Sequence, residues 1–187
     1  MKVQYKNFKR KTYFVRQMQT KNGKEKYVCS TKESDTDLEV LPDGMEFYEK
    51  ANGVVGIRKK LVSRITEEEF NFVQKEYKRL AAPNLVRFEL SKNSITVYSA
   101  EKMDFTLFGI PMCCSKKKAD DQSEAFATYM PSLRFSLEDE KKREFSVERM
   151  SFMGDEEEWY FLESGSLKKL IKKYAPHIEK ESMFDFL

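Results

Sequence analysis

Long apolar runs are missing from this 187-residue chain. The longest, running approximately from Phe105 to Cys114, falls well short of the roughly 20 residues a membrane-spanning helix needs. No membrane partner is therefore expected. The basic start, Met1 to Lys11, has no apolar segment behind it, which argues against a secretory signal. Cysteine is scarce and odd in number: Cys29, Cys113 and Cys114, two of them adjacent. A secreted disulfide framework normally shows an even set, so reduced thiols and a cytoplasmic location are expected. Histidine occurs once, at His177, and there is no C-x2-C spacing. Zinc is therefore not indicated, and no other metal or cofactor is expected. A glycine-rich phosphate loop is also absent.

Aromatic residues and charge are abundant. Fifteen Phe, nine Tyr and one Trp supply core material, and 35% of residues are charged. Disordered chains lack such aromatic content, so the chain is expected to fold, as one large domain or two small ones. The net charge is only +3, but it is unevenly placed. Met1 to Lys26 holds nine Lys/Arg against the single acid Glu25, a net of +8 that leaves −5 for the remainder. Such asymmetry suggests a basic face for an anionic partner.

Turn chemistry organises the chain. Asn22-Gly23 and Asn52-Gly53 each lie between strand-like segments, the favoured signal for a hairpin. The expected strands are 13–20 with 26–31, and 46–50 with 54–62. Leu41-Pro42-Asp43-Gly44 reads as a turn. Thr66 followed by Glu69 is a capping box, and behind it Phe70, Val73, Tyr77 and Leu80 share one helical face, ending before Pro83. A third hairpin is expected over 85–100, around Lys92-Asn93. The stretch 101–131 is hard to read, with a short helix expected over Ser123 to Tyr129. Leu133, Phe135 and Leu137 alternate with polar residues as in a half-buried strand, and 144–152 and 158–162 read as two more. Leu167, Leu170, Ile171 and Tyr174 form an apolar stripe on a last helix. Met183 to Leu187 is apolar enough to dock on the body. The expected class is α+β: antiparallel hairpins in one or two sheets, each covered by a helix. Two lobes, 1–82 and 83–187, are expected, with a single domain as the alternative.

Candidate chemistry is sparse. His177 follows Pro176 near a helix end, and nothing in the sequence brings a nucleophile to it. Cys113 and Cys114 lie close to Lys116, Lys117 and Lys118, which would favour thiolate, although two small loop residues explain them as well. The acids from Asp155 to Glu158 read as a solvated turn rather than a cation site. Asp43, Glu46 and Glu49-Lys50 superficially resemble a nuclease signature, but the Glu-x-Lys spacing is absent. The best positive signal is basic and aromatic together. Lys9, Arg10, Lys11 and Arg16 accompany Tyr13, Phe14 and Tyr27, and Arg58, Lys59 and Lys60 lie on a strand near Tyr48. Cations neutralise phosphates and aromatics stack on bases, so nucleic acid or another anionic surface is the expected partner. Solvated lysines beside core aromatics give the plainer account.

Two stretches carry a resemblance. Leu41-Pro42-Asp43-Gly44-Met45-Glu46-Phe47-Tyr48-Glu49, with Asn52-Gly53-Val54-Val55 and Arg58, resembles an lP-x-G-x-E-x-Y-E-x-x-N-G-x-V-x-x-R segment of an uncharacterised prokaryotic protein family. Leu167 to Tyr174 with His177, Glu181-Ser182 and Phe184 resembles the close of the same group, with Met183 where an aromatic is expected. The two cover well under a third of the chain and imply a family without an activity. Three readings follow: a non-enzymatic binding module with a basic N-terminal face, a protein–protein interaction subunit using the central segment and apolar tail, and an enzyme whose site has no familiar motif.

Overall fold

The computed structural model describes residues 2–80, 86–100, 127–153, 156–178 and 180–186. The protein is α+β, with antiparallel sheets of three, two and five strands. It divides into two units, Met1–Leu61 and Val62–Leu187.

In the first unit, β1 (Gln4–Lys6), β2 (Thr12–Gln19) and β3 (Glu25–Ser30) form one sheet, and β4 (Met45–Glu49) pairs with β5 (Val55–Lys59) in another. All three hairpins use the same three-residue loop, a turn followed by a left-handed residue. In the second loop, Thr20 N–H donates to Lys24 O (2.8 Å), Gly23 N–H donates to Thr20 O (2.8 Å), and Gly23 has φ 73°. The third repeats this between Lys50 and Val54 (2.9 and 2.8 Å), with Gly53 at φ 80°. The first repeats it between Asn7 and Lys11 (3.0 and 2.9 Å), but the left-handed residue is Arg10, at φ 62°. The two Asn-Gly hairpins are those the sequence marks. β1 carried no such mark, because an arginine occupies the position where glycine is favoured.

Little apolar surface is buried in this unit. Apart from Gly53, its buried residues, among those described, are Val15, Ala51, Val55 and the polar Asn7 and Asp37. Polar locks hold it instead. Asn7 Nδ2 donates to Gly53 O at 2.7 Å, and its Oδ1 accepts Lys11 N–H at 2.8 Å. Asp37, with no side-chain exposure, accepts Arg16 Nε at 3.0 Å and Ser34 N–H at 2.6 Å.

The second unit is a meander with helices on it. Helix α1 (Glu67–Leu80) is followed by β6 (Val86–Leu90), β7 (Ser94–Ala100), β8 (Tyr129–Asp139), β9 (Glu144–Met153), β10 (Glu156–Ser166) and helix α2 (Leu167–Tyr174). Strand order is β10-β9-β8-β7-β6. The capping box forms as expected: Glu69 N–H donates to Thr66 Oγ1 (3.2 Å) and Thr66 N–H to Glu69 Oε2 (2.9 Å). Val73 and Tyr77 from α1 and Leu167, Leu170, Ile171 and Tyr174 from α2 join Ile95, Val97, Leu133, Phe135, Phe145 and Val147 in one apolar core. Arg143, left-handed at φ 51° in the β8–β9 turn, ion-pairs with Glu69 and donates to Arg64 O, bonds that offset its conformation. Burial raises the Glu69 carboxyl pKa, but the bonds from Arg143 and Thr66 outweigh it and leave the value lowered.

Three details differ from the sequence reading. The units divide at 61/62 rather than 82/83, since α1 buries Tyr77 against Phe88 and Phe135 of the five-stranded sheet (ring centroids 5.7 and 6.5 Å). Both helices belong to the second unit, and the described part of the first contains no helix of its own. A capping box fixes where a helix starts, whereas the sheet it covers is decided by which one offers a long apolar face. Tyr129, expected to end a short helix, opens β8. Pro83, Cys113, Cys114, Lys116 to Lys118 and Asp155 lie outside the described residues, as do the side chains of Met183 and Phe184.

Candidate functional site

The seven sequence-selected cations separate into two groups and one structural arginine. Lys9, Arg10 and Lys11 sit in the β1–β2 loop, which interlocks with the β4–β5 loop through Asn7 and Gly53. A side chain on Gly53 would lie 3.1 Å from Phe8 and 3.4 Å from Lys9, so the two loops touch closely. Lys9 Nζ stands 5.5 Å from the Phe8 ring centroid. Arg10 and Lys11 are exposed, as are Lys6 beside this loop and Lys50 beside the other. Lys6 and Lys50, which were not selected from the sequence, thus enlarge the cluster.

Lys59 and Lys60 are exposed at the opposite end of β5 from the Asn52-Gly53 loop. About 3.3 Å per strand residue puts more than 10 Å between the two groups. Arg58 immediately precedes them on β5, opposite Glu46. Its Nε donates to Glu46 Oε1 at 2.8 Å, and its guanidinium lies 5.3 Å from the Tyr48 ring centroid. Arg16 belongs to neither group. It is consumed by Asp37 and by Lys32 O (2.6 Å), and its role is to close the first sheet.

The residues that carry the family resemblance find structural partners. Glu46 binds Arg58, and Tyr48 lies over Gly56, where a Cβ would come within 2.6 Å of its ring. Glu49 accepts Tyr5 Oη at 2.9 Å and Phe8 N–H at 3.0 Å, Gly53 is left-handed, and Val55 is buried. Glu46 and Glu49 are thereby engaged in hydrogen bonds within the first unit. In the tail, His177 Nδ1 and Ser182 Oγ are 2.9 Å apart, and the Phe186 ring packs on His177 at 4.8 Å. The structure thus brings a hydroxyl to the only histidine, which sequence gave no sign of. The contact closes a turn at the start of the chain's last helical segment.

Other groups with possible chemistry are few among the described residues. Burial pushes the Cys29 thiol up, away from nucleophilic thiolate. No group of three or more potential metal ligands exists among the described residues. A groove of about 300 Å³ between the starts of α1 and α2 is lined mainly by Phe72, Phe145 and Leu167, with Glu69 and Arg143 already paired to each other. No described helix is long and apolar enough to cross a membrane. No family model matches this chain, and no curated protein or solved structure is significantly similar to it. The surface itself therefore carries the functional argument. Tyr48 was already placed near Arg58 by the sequence, and the missed contributor, Glu46 as the partner of Arg58, was accessible in principle. Counting outward from the Asn52-Gly53 loop pairs residue 46 with 58 and 48 with 56.

Proposed function

We propose that the protein is a non-enzymatic, cytoplasmic binding module whose first unit contacts nucleic acid through its phosphate backbone. The division of charge between the units is the observation that carries this reading. Met1–Leu61 holds fourteen Lys/Arg against eight Asp/Glu, a net of +6, which leaves −3 on Val62–Leu187. Within the first unit, Arg16 with Asp37 and Arg58 with Glu46 offset one another locally. The excess is concentrated in exposed lysines and in Arg10, notably around the interlocked loops. Such a distribution attracts polyanions by counterion release and needs no base-specific contact.

The test is binding of the full chain to labelled DNA and RNA oligonucleotides across a salt series. Affinity is expected to fall steeply with salt, and the triple change Lys9→Glu, Arg10→Glu, Lys11→Glu should flatten the log–log slope by up to about 3. Wild-type protein that ignores both nucleic acids at low salt would end the reading. A protein retained on the chain after nuclease treatment and moderate salt would favour the protein-partner alternative instead.

A further inference from the structure

We propose that Arg58 is the oriented phosphate-binding group of the first unit, gripping one backbone phosphate with its two terminal nitrogens; this rests on the nucleic-acid reading above. An arginine on a surface strand normally samples many rotamers, and binding must freeze them. Arg58 is already held on two sides. Glu46 fixes its Nε at 2.8 Å, and the Tyr48 ring supports its plane at 5.3 Å. Tyr48 is held in turn, because Gly56 leaves room for the ring to lie directly on β5. The Glu46 oxygen that takes Nε also accepts Leu61 N–H at 3.2 Å, so the carboxylate is anchored to the strand end.

What remains is directional. Nη1 and Nη2 have no hydrogen-bond partner among the described residues, and the side chain is 36% exposed. Two parallel N–H donors in a fixed plane match two oxygens of a phosphate, a geometry lysine cannot reproduce. Lys59 and Lys60 follow directly and are exposed. A division of labour results. Glu46 cancels the long-range pull of Arg58, so Arg58 supplies geometry while the lysines supply attraction. Glu46 acts as a positioning residue, through Arg58 rather than on the ligand.

The experiment compares Arg58→Lys, Glu46→Gln and Lys59→Ala in the full chain, with oligonucleotide affinity measured from low to moderate salt and folding checked by circular dichroism. Arg58→Lys keeps the charge and is expected to weaken binding about tenfold with little change in salt slope. Glu46→Gln, which releases the guanidinium but adds net positive charge, is expected to weaken binding as well, against the electrostatic trend. Lys59→Ala is expected to lower the slope by about 0.9, with a loss of affinity that is largest at low salt and shrinks as salt rises. Tighter binding by Glu46→Gln, or wild-type affinity in Arg58→Lys, overturns the assignment while leaving nucleic-acid binding intact. Wild-type protein without salt-sensitive binding removes the underlying reading and the assignment with it. Competition by inorganic phosphate at concentrations that leave the Lys9–Lys11 contribution unaffected would show that the site takes free phosphate rather than a nucleic-acid backbone, and would also overturn it.

Discussion

The two units of this protein reach order by different physical routes. The second buries seventeen residues, among those described, in one apolar cluster. The first buries three apolar residues, Val15, Ala51 and Val55, and relies on Asn7, Asp37, Glu46 and Glu49 to tie loops and strands together. A core stabilises through area and tolerates small shifts, whereas a polar lock depends on one geometry and loses its effect when a partner is removed. The comparison also fits the proposed roles: a surface rich in held polar groups presents oriented donors, while an apolar core presents none.

The comparison can be broken at its strongest point first. Tyr77 is fully buried, its ring packs edge-on against Phe88 and Phe135, and its hydroxyl has no hydrogen-bond partner among the described residues. Burial pushes its pKa up, as expected of a phenol held away from water. Tyr77→Ala should destabilise the second unit by about 3–5 kcal/mol, whereas Tyr77→Phe should be neutral or stabilising by about 1 kcal/mol. Denaturant midpoints read both, and a large loss in Tyr77→Phe would show that the hydroxyl has a partner after all.

Asn7→Ala removes the bond to Gly53 O and the acceptor for Lys11 N–H together. The expected loss is about 2 kcal/mol, confined to the first unit. Amide hydrogen exchange on the full chain separates the two units. Faster exchange spread equally over both would contradict their division.

A smaller effect, of opposite sign, tests the loop comparison within the first unit. Arg10→Gly places in the β1–β2 loop the residue that the other two loops already carry at this position, with φ 73° and 80°. It should raise stability by up to about 1 kcal/mol in thermal melts while weakening oligonucleotide binding. A gain in both would mean that Arg10 takes no part in the interface.

The smallest effect concerns pH. Lys169 and Lys173 donate to Glu163, the first at 2.6 Å, and hold its carboxyl down to about 2 from the ordinary 4.5. A lowered pKa stabilises the folded state above pH 4.5, and that contribution fades as pH falls through about 2. Glu163→Gln should therefore flatten the acid limb of a stability–pH profile for the second unit between those values by lowering stability at neutral pH, where the contribution is fully present, and only slightly, because solvent screens these surface pairs. An unaltered acid limb would mean that the two lysines do not hold the carboxylate in solution.

Much of this architecture was legible in local sequence because its causes are local. Asn-Gly marks a left-handed turn, Thr66 and Glu69 satisfy each other three residues apart, and the Leu167–Tyr174 stripe repeats at the helical period. Alternation at Leu133, Phe135 and Leu137 likewise follows from the two-residue strand repeat. The first strand was not legible, because Arg10 takes a conformation that its chemistry does not advertise. Only the tertiary structure decided that α1 covers the five-stranded sheet, that Arg16 is spent on Asp37, and that Glu46 and Tyr48 orient Arg58. Each of these is a choice among distant partners. Sequence states what a side chain needs, an apolar face or an opposite charge, and only the packed chain states which of several candidates comes within reach.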